Sequence, residues 1–339
     1  MTGPTGCGKS ALVEELFACS APFRRAEVVS ADSMQVYRGM DIGTAKPPPQ
    51  VRAALPHHLI DILEPTEQFN AGGFVRLARK ACASIVKRGS LPVICGGTFF
   101  YIDALLNGLS EAPPSSAEIR NALKIELQTK GADALMEELR ACDSESANRI
   151  HINDEYRLLR ALEVFRASGR PLSSFKRNGS FLTEADGLEG TRFRFVTIAV
   201  MRGRTDLYRR INERVNGMME RGLAEEALAL YKRGWTPDAP GLRAIGYREF
   251  FCKDENGAWR FLTLPPGRAE NEDSIAGLIA RNTRRYAKRQ ITWLRSMPDI
   301  PVLDLDEYDS ASAACKVSAA CKVSAACSAL RRLLESNGI

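Results

Sequence analysis

Short apolar runs alternate with stretches of helical spacing over the first third of the chain. Glu27 to Ser30, carrying Val28 and Val29, and Leu91 to Cys95 are too short for helices and too apolar for loops, so each reads as a buried strand. A third strand is expected near Leu59 to Leu63. Between these runs the apolar positions recur with helical spacing: Leu12, Val13, Leu16 and Phe17; then Val75, Ala78, Ala81, Cys82 and Ile85 within Phe74 to Arg88; then Phe99 to Leu106. Such alternation predicts an α/β fold with a parallel sheet covered by helices. After Glu111-Ala112-Pro113-Pro114-Ser115-Ser116 strand signals vanish and helical spacing continues to about Arg170, as an inserted helical subdomain would show. Sheet character returns over Arg192 to Val200. A helix then carries Leu207, Ile211, Val215 and Met218 inward, with Arg210, Arg214 and Arg221 on other faces. Ala244 to Glu249 opens a further helical stretch, and Asn256-Gly257 to Pro266 reads as a polar loop. The predicted organisation is an α/β core over 1–112, a helical insert over 113–185, the second part of the core over 186–310, and a tail over 311–339.

Gly3-Pro4-Thr5-Gly6-Cys7-Gly8-Lys9-Ser10 stands immediately before the first helical pattern and fits G-x-x-x-x-G-K-[ST] at every specified position. This is a phosphate-binding loop. Glycines let backbone N–H groups turn inward around a phosphate, and the lysine and helix N-terminus add positive charge. Lys9 is expected to reach the outer phosphate and the Ser10 hydroxyl to ligate Mg²⁺. Such loops normally follow a buried strand, yet only Met1 and Thr2 precede Gly3. The expectation is that the natural chain begins earlier, because the loop would otherwise lose its anchor and expose sheet edges. The strand at Val28 leads into Asp32, and ligands of open α/β sheets bind beyond the carboxyl ends of strands. Asp32 is therefore expected to face the phosphate loop; a helix cap is the alternative.

Composition narrows the class without choosing it. The 339 residues are 45% hydrophobic and 26% charged, as in an ordinary soluble globular protein, and no apolar run approaches the ~20 residues of a spanning helix. No membrane partner and a cytoplasmic location are expected. Nine cysteines lack C-x-x-C pairs or histidine partners, so reduced thiols are expected and not zinc or a disulfide framework. His57 and His58 are read as structural. The net charge of +6 permits an anionic partner. Residues 281–295 concentrate it: Arg281, Arg284, Arg285, Lys288, Arg289 and Arg295 occur there without an acid. With Leu278, Ile279, Tyr286 and Trp293 packed inward, the basic groups are left largely solvent-side as a polyanion footprint. Arg157 and Arg160 share a helix face near Asn153 to Glu163, either as a contact surface or as solvated arginines. The hexad Ser-Ala-Ala-Cys-Lys-Val, repeated from Ser312, keeps no single helical face and is expected to play no catalytic part.

Taken in order, the phosphate loop, Asp32-Ser33-Met34-Gln35-Val36-Tyr37 through Pro47, Gly96-Gly97-Thr98, the Asn153 to Glu163 helix, Ala244 to Glu249 and Lys288 to Arg295 resemble the tRNA dimethylallyltransferases (tRNA isopentenyltransferases). The likeness is to the bacterial type, since the zinc-finger tail of eukaryotic relatives has no counterpart. The resemblance implies a P-loop nucleotide-kinase-like fold that transfers a dimethylallyl group from its diphosphate to the N6 amine of the adenosine just 3′ of the anticodon. It implies Mg²⁺ and tRNA as partners, and a monomer is expected. Asp32 would be the general base and Thr98 a residue of the reaction channel. Gly3, Pro4, Thr5, Gly6, Cys7, Gly8, Lys9 and Ser10 would hold the diphosphate, with Arg214. Asp32, Ser33, Met34, Gln35, Arg120, Tyr156, Arg157, Leu158, Leu159 and Arg160 would contact tRNA. Phe99-Phe100 departs from the family's smaller Gly-Leu pair and could narrow the channel. A free-nucleotide prenyltransferase, a P-loop kinase and a non-catalytic tRNA-binding protein remain the alternatives.

Overall fold

The computed structural model describes residues 1–17, 25–176, 195–262, 267–297 and 300–306. The tail repeat and residues 192–194 of the expected strand lie outside these. Two compact units emerge, Met1–Asp103 with Ala185–Ile339, and Ala104–Glu184.

In the first unit α1 (Lys9–Phe17) leaves the phosphate loop and β1 (Ala26–Ser30) follows. A short α2 (Pro49–Ala54) precedes β2 (His57–His58), α3 (Ala71–Lys87) precedes β3 (Leu91–Cys95), and α4 begins at Phe99 and ends at Asn107. β1 is buried at all five positions and lies between β2 and β3, parallel to both. A strand with neighbours and covering helices on all sides has no solvated face, which is why its sequence is a run and not an alternation. The expected strand at 59–63 is displaced to His57–His58. Leu59 and Asp61 adopt φ of 64° and 56°, which an extended strand cannot accommodate, and Leu63 forms only an isolated bridge to Tyr37.

Met1 and Thr2 supply the loop's anchor. Thr2 bridges Gly96 on one side and Ala199 on the other, both parallel. The Met1 amine donates to Ile94 O (2.7 Å), Thr2 N donates to Ile198 O (2.9 Å) and Val200 N donates to Thr2 O (2.8 Å). This two-residue lane joins the first three strands to a second parallel pair further along the chain.

In the second unit α5 (Ala117–Cys142) is kinked at Gly131, followed by α6 (Ser144–Arg149) and α7 (Glu155–Ser168). Leu123, Leu135, Leu139, Leu158 and Leu162 are buried together in its core. Ser116, Asp143 and Asp154 cap the three helices by accepting from Ile119 N, Ser146 N and Arg157 N. The compact unit starts within α4, upstream of the composition change at Pro113.

The first unit resumes with β4 (Ala199–Met201), α8 (Arg204–Glu220) and α9 (Leu223–Lys232). Residues 195–198 precede β4 without strand pairing, so the expected strand is shorter than its apolar pattern. Ala244 to Glu249 does not open an α-helix. Two 3₁₀ turns flank it, and the backbone turns left-handed at Gly246 (φ 101°). The expected loop after Asn256 is partly a hairpin: β5 (Phe251–Lys253) and β6 (Trp259–Phe261) pair antiparallel around a turn at Gly257. α10 (Ile275–Arg295) follows, capped by Ser274, and β7 (Val302–Asp304) completes the sheet beside β4.

His57 and His58 prove structural. His58 Nε2 meets Glu27 Oε2 at 2.7 Å, and Arg88 donates to the same carboxylate. The Arg88 hydrogen bond, helped by His58, pulls the Glu27 carboxyl from 4.5 down to about 2 against the opposing effect of burial. A carboxylate whose folded value is depressed stabilises the fold fully above its unfolded value, and that stabilisation is lost as pH falls toward the folded one. Urea titrations of Glu27→Gln should thus show it less stable than the parent at neutral pH. The difference should close between about 4.5 and about 2.

Candidate active site

The loop's shape follows from Gly3. Its φ is 149°, and a Cβ there would stand 2.2 Å from Val200 O, so no larger residue fits between loop and β4. Lys9 Nζ donates to Gly3 O and Pro4 O, both at 2.8 Å, and folds back across the loop. Two arginines from the other end of the unit brace it: Arg202 Nε donates to Cys7 O (3.3 Å) and Arg210 Nε to Gly6 O (3.2 Å). Gln290 of α10 accepts from Thr5 N at 2.8 Å.

Asp32 lies beyond the carboxyl end of β1, where its Oδ1 accepts from Met34 N (2.8 Å) and Gln35 N (3.3 Å). The local reading of Asp32 as a cap is thus satisfied by one oxygen, and Oδ2 makes no hydrogen bond among the described residues. Two cavities meet at this side chain. One, of about 520 Å³, is lined by Gly6, Gly8, Lys9, Ser10, Gln35 and Arg210. The other, of about 250 Å³, is walled by Met34, Ile211, Val215, Met218, Ile245 and Ile279. Thr5, Asp32, Arg214 and Tyr286 line both. A polar chamber beside the Gly3–Ser10 loop and a more apolar one therefore share a wall that contains the carboxylate.

The shared residues have distinct electrostatics. Burial pulls the half-buried Arg214 guanidinium down while the Asp32 carboxylate opposes this, and Arg214 Nη1 donates to Thr5 Oγ1 (3.4 Å). Burial pushes the Tyr286 phenol up to about 12, with Asp32 adding to the shift, so it stays neutral at physiological pH. Thr98 is not in either cavity wall. Its Oγ1 accepts from Ser33 N (3.0 Å), bracing the turn that carries Asp32, and its side chain hydrogen-bonds Tyr286, which lines both cavities. Gln35 ties the same turn to the next segment by donating to Thr44 O and Ala45 O. That segment is held firmly. Glu226 accepts from the backbone N–H of Asp41, Ile42 and Gly43 and from Tyr247 Oη, while the buried Lys46 ammonium pairs with Asp41 and Asp61.

Phe99 packs against Trp293 at 5.2 Å and Phe100 is 59% exposed; neither lines either of these two cavities. On α10 Arg285, Lys288, Arg289 and Arg295 are exposed as expected. Arg281 and Arg284 are half-buried, and Arg284 is tied to Asn212 Oδ1 (2.8 Å) and Glu272.

Within the helical unit Glu163 is wholly buried and organises two of the expected contact residues. It accepts from Ser116 N and pairs with Arg120 (3.4 Å) and Arg160 (3.2 Å). Burial alone would raise its carboxyl, but hydrogen bonds from Ser115, Arg160 and Ser116 hold it below the usual range. Arg120 lies 4.6 Å over the Tyr156 ring, which is 70% exposed. Tyr156 and the outward Arg157 thus present a face, whereas the side chains of Leu158 and Leu159 are buried in the unit's core.

Ser10 Oγ and the Asp32 and Glu213 carboxylates are among the hard oxygen donors lining the polar chamber, and among the described residues no group of three or more His, Cys, Asp or Glu that could hold a metal ion exists. Such a sparse donor set suits an ion held mainly by diphosphate and water oxygens, as Mg²⁺ commonly is. Nothing in the sequence pattern directed Arg202 or Arg210 to the loop, and Gln290 was marked only by falling inside the Lys288 to Arg295 motif.

Comparison with known proteins agrees with this geometry. The family model described as IPP transferase matches residues 35–297. A tRNA dimethylallyltransferase of Geobacter sulfurreducens is 42% identical over 312 residues, covering 91% of this chain and 93% of its own. The full-length tRNA isopentenylpyrophosphate transferase of Bacillus halodurans superposes with a TM-score of 0.61 at 33% identity, covering 99% and 96% of the two chains. A eukaryotic dimethylallyltransferase captured acting on tRNA gives 0.66 at 27% identity, over 89% and 72%. With its phosphate loop, the carboxylate beyond β1 and a match of this extent, the chain belongs to the IPP transferase family.

Proposed function

We propose that this chain transfers the dimethylallyl group of dimethylallyl diphosphate to the N6 amine of the adenosine immediately 3′ of the anticodon in a subset of tRNAs. The observation that carries this reading is the shared wall: Asp32 borders both the phosphate chamber and the apolar one. In the reaction the bond from the allylic carbon to the diphosphate oxygen breaks, with the electron pair leaving on oxygen. A bond forms from N6 to that carbon, and the N6 proton passes to the Asp32 carboxylate.

Each part of the chain has work in that step. Charge develops on the leaving oxygens, where Lys9, the loop amides and Arg214 are aimed, and preorganised donors of this kind stabilise a transition state with little reorganisation. Asp32, held by Met34 N and Gln35 N, keeps Oδ2 for the amine. Ser10 Oγ would hold Mg²⁺, which supplies charge neutralisation on the diphosphate when bound. The adenosine must leave its stack to reach Asp32, at a cost of a few kcal/mol by analogy with other base-flipping enzymes. Phosphate contacts by the exposed Arg285, Lys288 and Arg289 offset this.

The test is incubation with dimethylallyl diphosphate, Mg²⁺ and unmodified tRNA, followed by mass analysis of the digested nucleosides. An adenosine heavier by one dimethylallyl group is expected. Prenylation of AMP but not tRNA would instead favour a free-nucleotide enzyme, and ATP consumption without prenyl donor a kinase.

A further inference from the structure

Gln290 is a polar side chain only 4% exposed, on a helix whose opposite face is basic. Both ends of its carboxamide are used, and on different elements. Oε1 accepts from Thr5 N in the phosphate loop (2.8 Å), and Nε2 donates to Gly97 O just beyond β3 (2.7 Å). The fit is close: a Cβ on Gly97 would lie 2.5 Å from Gln290 Nε2. One turn earlier Tyr286 reaches toward the same Gly97 carbonyl and lines both cavities, and Arg289 lies 5.7 Å over its ring. Arg285, Lys288 and Arg289 point to solvent from this same stretch. A single helical segment therefore offers cations outward and grips the phosphate loop inward. Thr5 N, held by Gln290, is not available to a phosphate, so Gln290 fixes the loop's entry and leaves the later amides to the anion.

We propose that Gln290 is a positioning residue that couples the two substrates, its Thr5 N and Gly97 O bonds making polyanion docking on α10 and diphosphate seating in the loop mutually favourable. The inference rests on the prenyl-transfer reading above. A rigid helix can carry such coupling only if both sites bias the same contact, and Gln290 links the basic segment to the loop by a direct hydrogen bond. Coupling of this kind is reciprocal, so each ligand tightens the other by the same factor.

The experiment measures the affinity of full-length protein for a non-reactive thiolo analogue of dimethylallyl diphosphate with Mg²⁺, with and without an unmodified anticodon stem-loop RNA. The parent should bind the analogue about tenfold tighter with RNA, within the usual range of coupling. Gln290→Met keeps the length and loses both hydrogen bonds; its coupling should fall below about twofold while RNA affinity alone changes little. Gln290→Glu retains an acceptor for Thr5 N and should keep an intermediate factor, so the two variants together read the bridge even if Gln290→Met folds poorly. Undiminished coupling in both variants overturns the proposal. So does a parent that binds both ligands without coupling, and that result leaves the prenyl-transfer reading intact. A parent that does not bind the RNA at all overturns both.

Discussion

Asp32→Asn should lose kcat by roughly 10²- to 10⁴-fold, the range expected when a general base is removed, while anticodon stem-loop affinity stays within about threefold. The substitution is chosen because asparagine Oδ1 can still accept from Met34 N and Gln35 N, the two bonds that hold the native side chain. The turn should therefore survive, and with it the Ser33 N to Thr98 Oγ1 contact. What disappears is the second carboxylate oxygen, the atom to which we assign the N6 proton. Single-turnover measurement with saturating RNA and prenyl donor separates this from binding. A variant that turns over at the parental rate would make Asp32 a cap and nothing more.

Lys9→Met should lower kcat/KM for dimethylallyl diphosphate by roughly 10²- to 10³-fold, the usual consequence of deleting one donor aimed at developing negative charge. Lys9 Nζ donates to Gly3 O and Pro4 O. Those carbonyls hold the ammonium over the chamber lined by Gly6, Gly8 and Ser10, so an entering diphosphate meets a cation already in place. Removing it weakens both capture of the donor and stabilisation of the leaving group. RNA affinity should not change, because the exposed cations of α10 are untouched. Steady-state kinetics with each substrate varied in turn would reveal the split; an equal rise in KM for RNA would argue against a phosphate role.

The parts of this site that could be read in the sequence are those written in contiguous residues. The phosphate loop needs a fixed local spacing, and β1 reads as a run because a strand buried at every position has no solvated face, whereas β3 is fully buried only at Val93. Asp32 could be located from strand polarity alone. What was illegible depends on contacts between distant residues or on single backbone angles. The strand expected at 59–63 fails because Leu59 and Asp61 turn left-handed, and the helix expected at 244–249 fails at Gly246, neither of which an apolar pattern records. Leu158 and Leu159 sit inside a motif whose arginine and tyrosine face outward, but a contiguous motif on a helix necessarily spans both faces. Arg202, Arg210 and Gln290 reach the loop from the far end of the chain. Their types are ordinary for surface helices, so only the fold could bring them to Cys7, Gly6 and Thr5.

The most direct test of the central claim, that the carboxylate and the anion cradle serve one reaction across a shared wall, is a structure with the thiolo analogue, Mg²⁺ and an anticodon stem-loop bound together. The account predicts the diphosphate against the Gly6 to Ser10 amides and the amine of an extruded adenine about 3 Å from Asp32, at hydrogen-bond reach. An analogue seated elsewhere, or an adenine whose amine points away from Asp32, would contradict it.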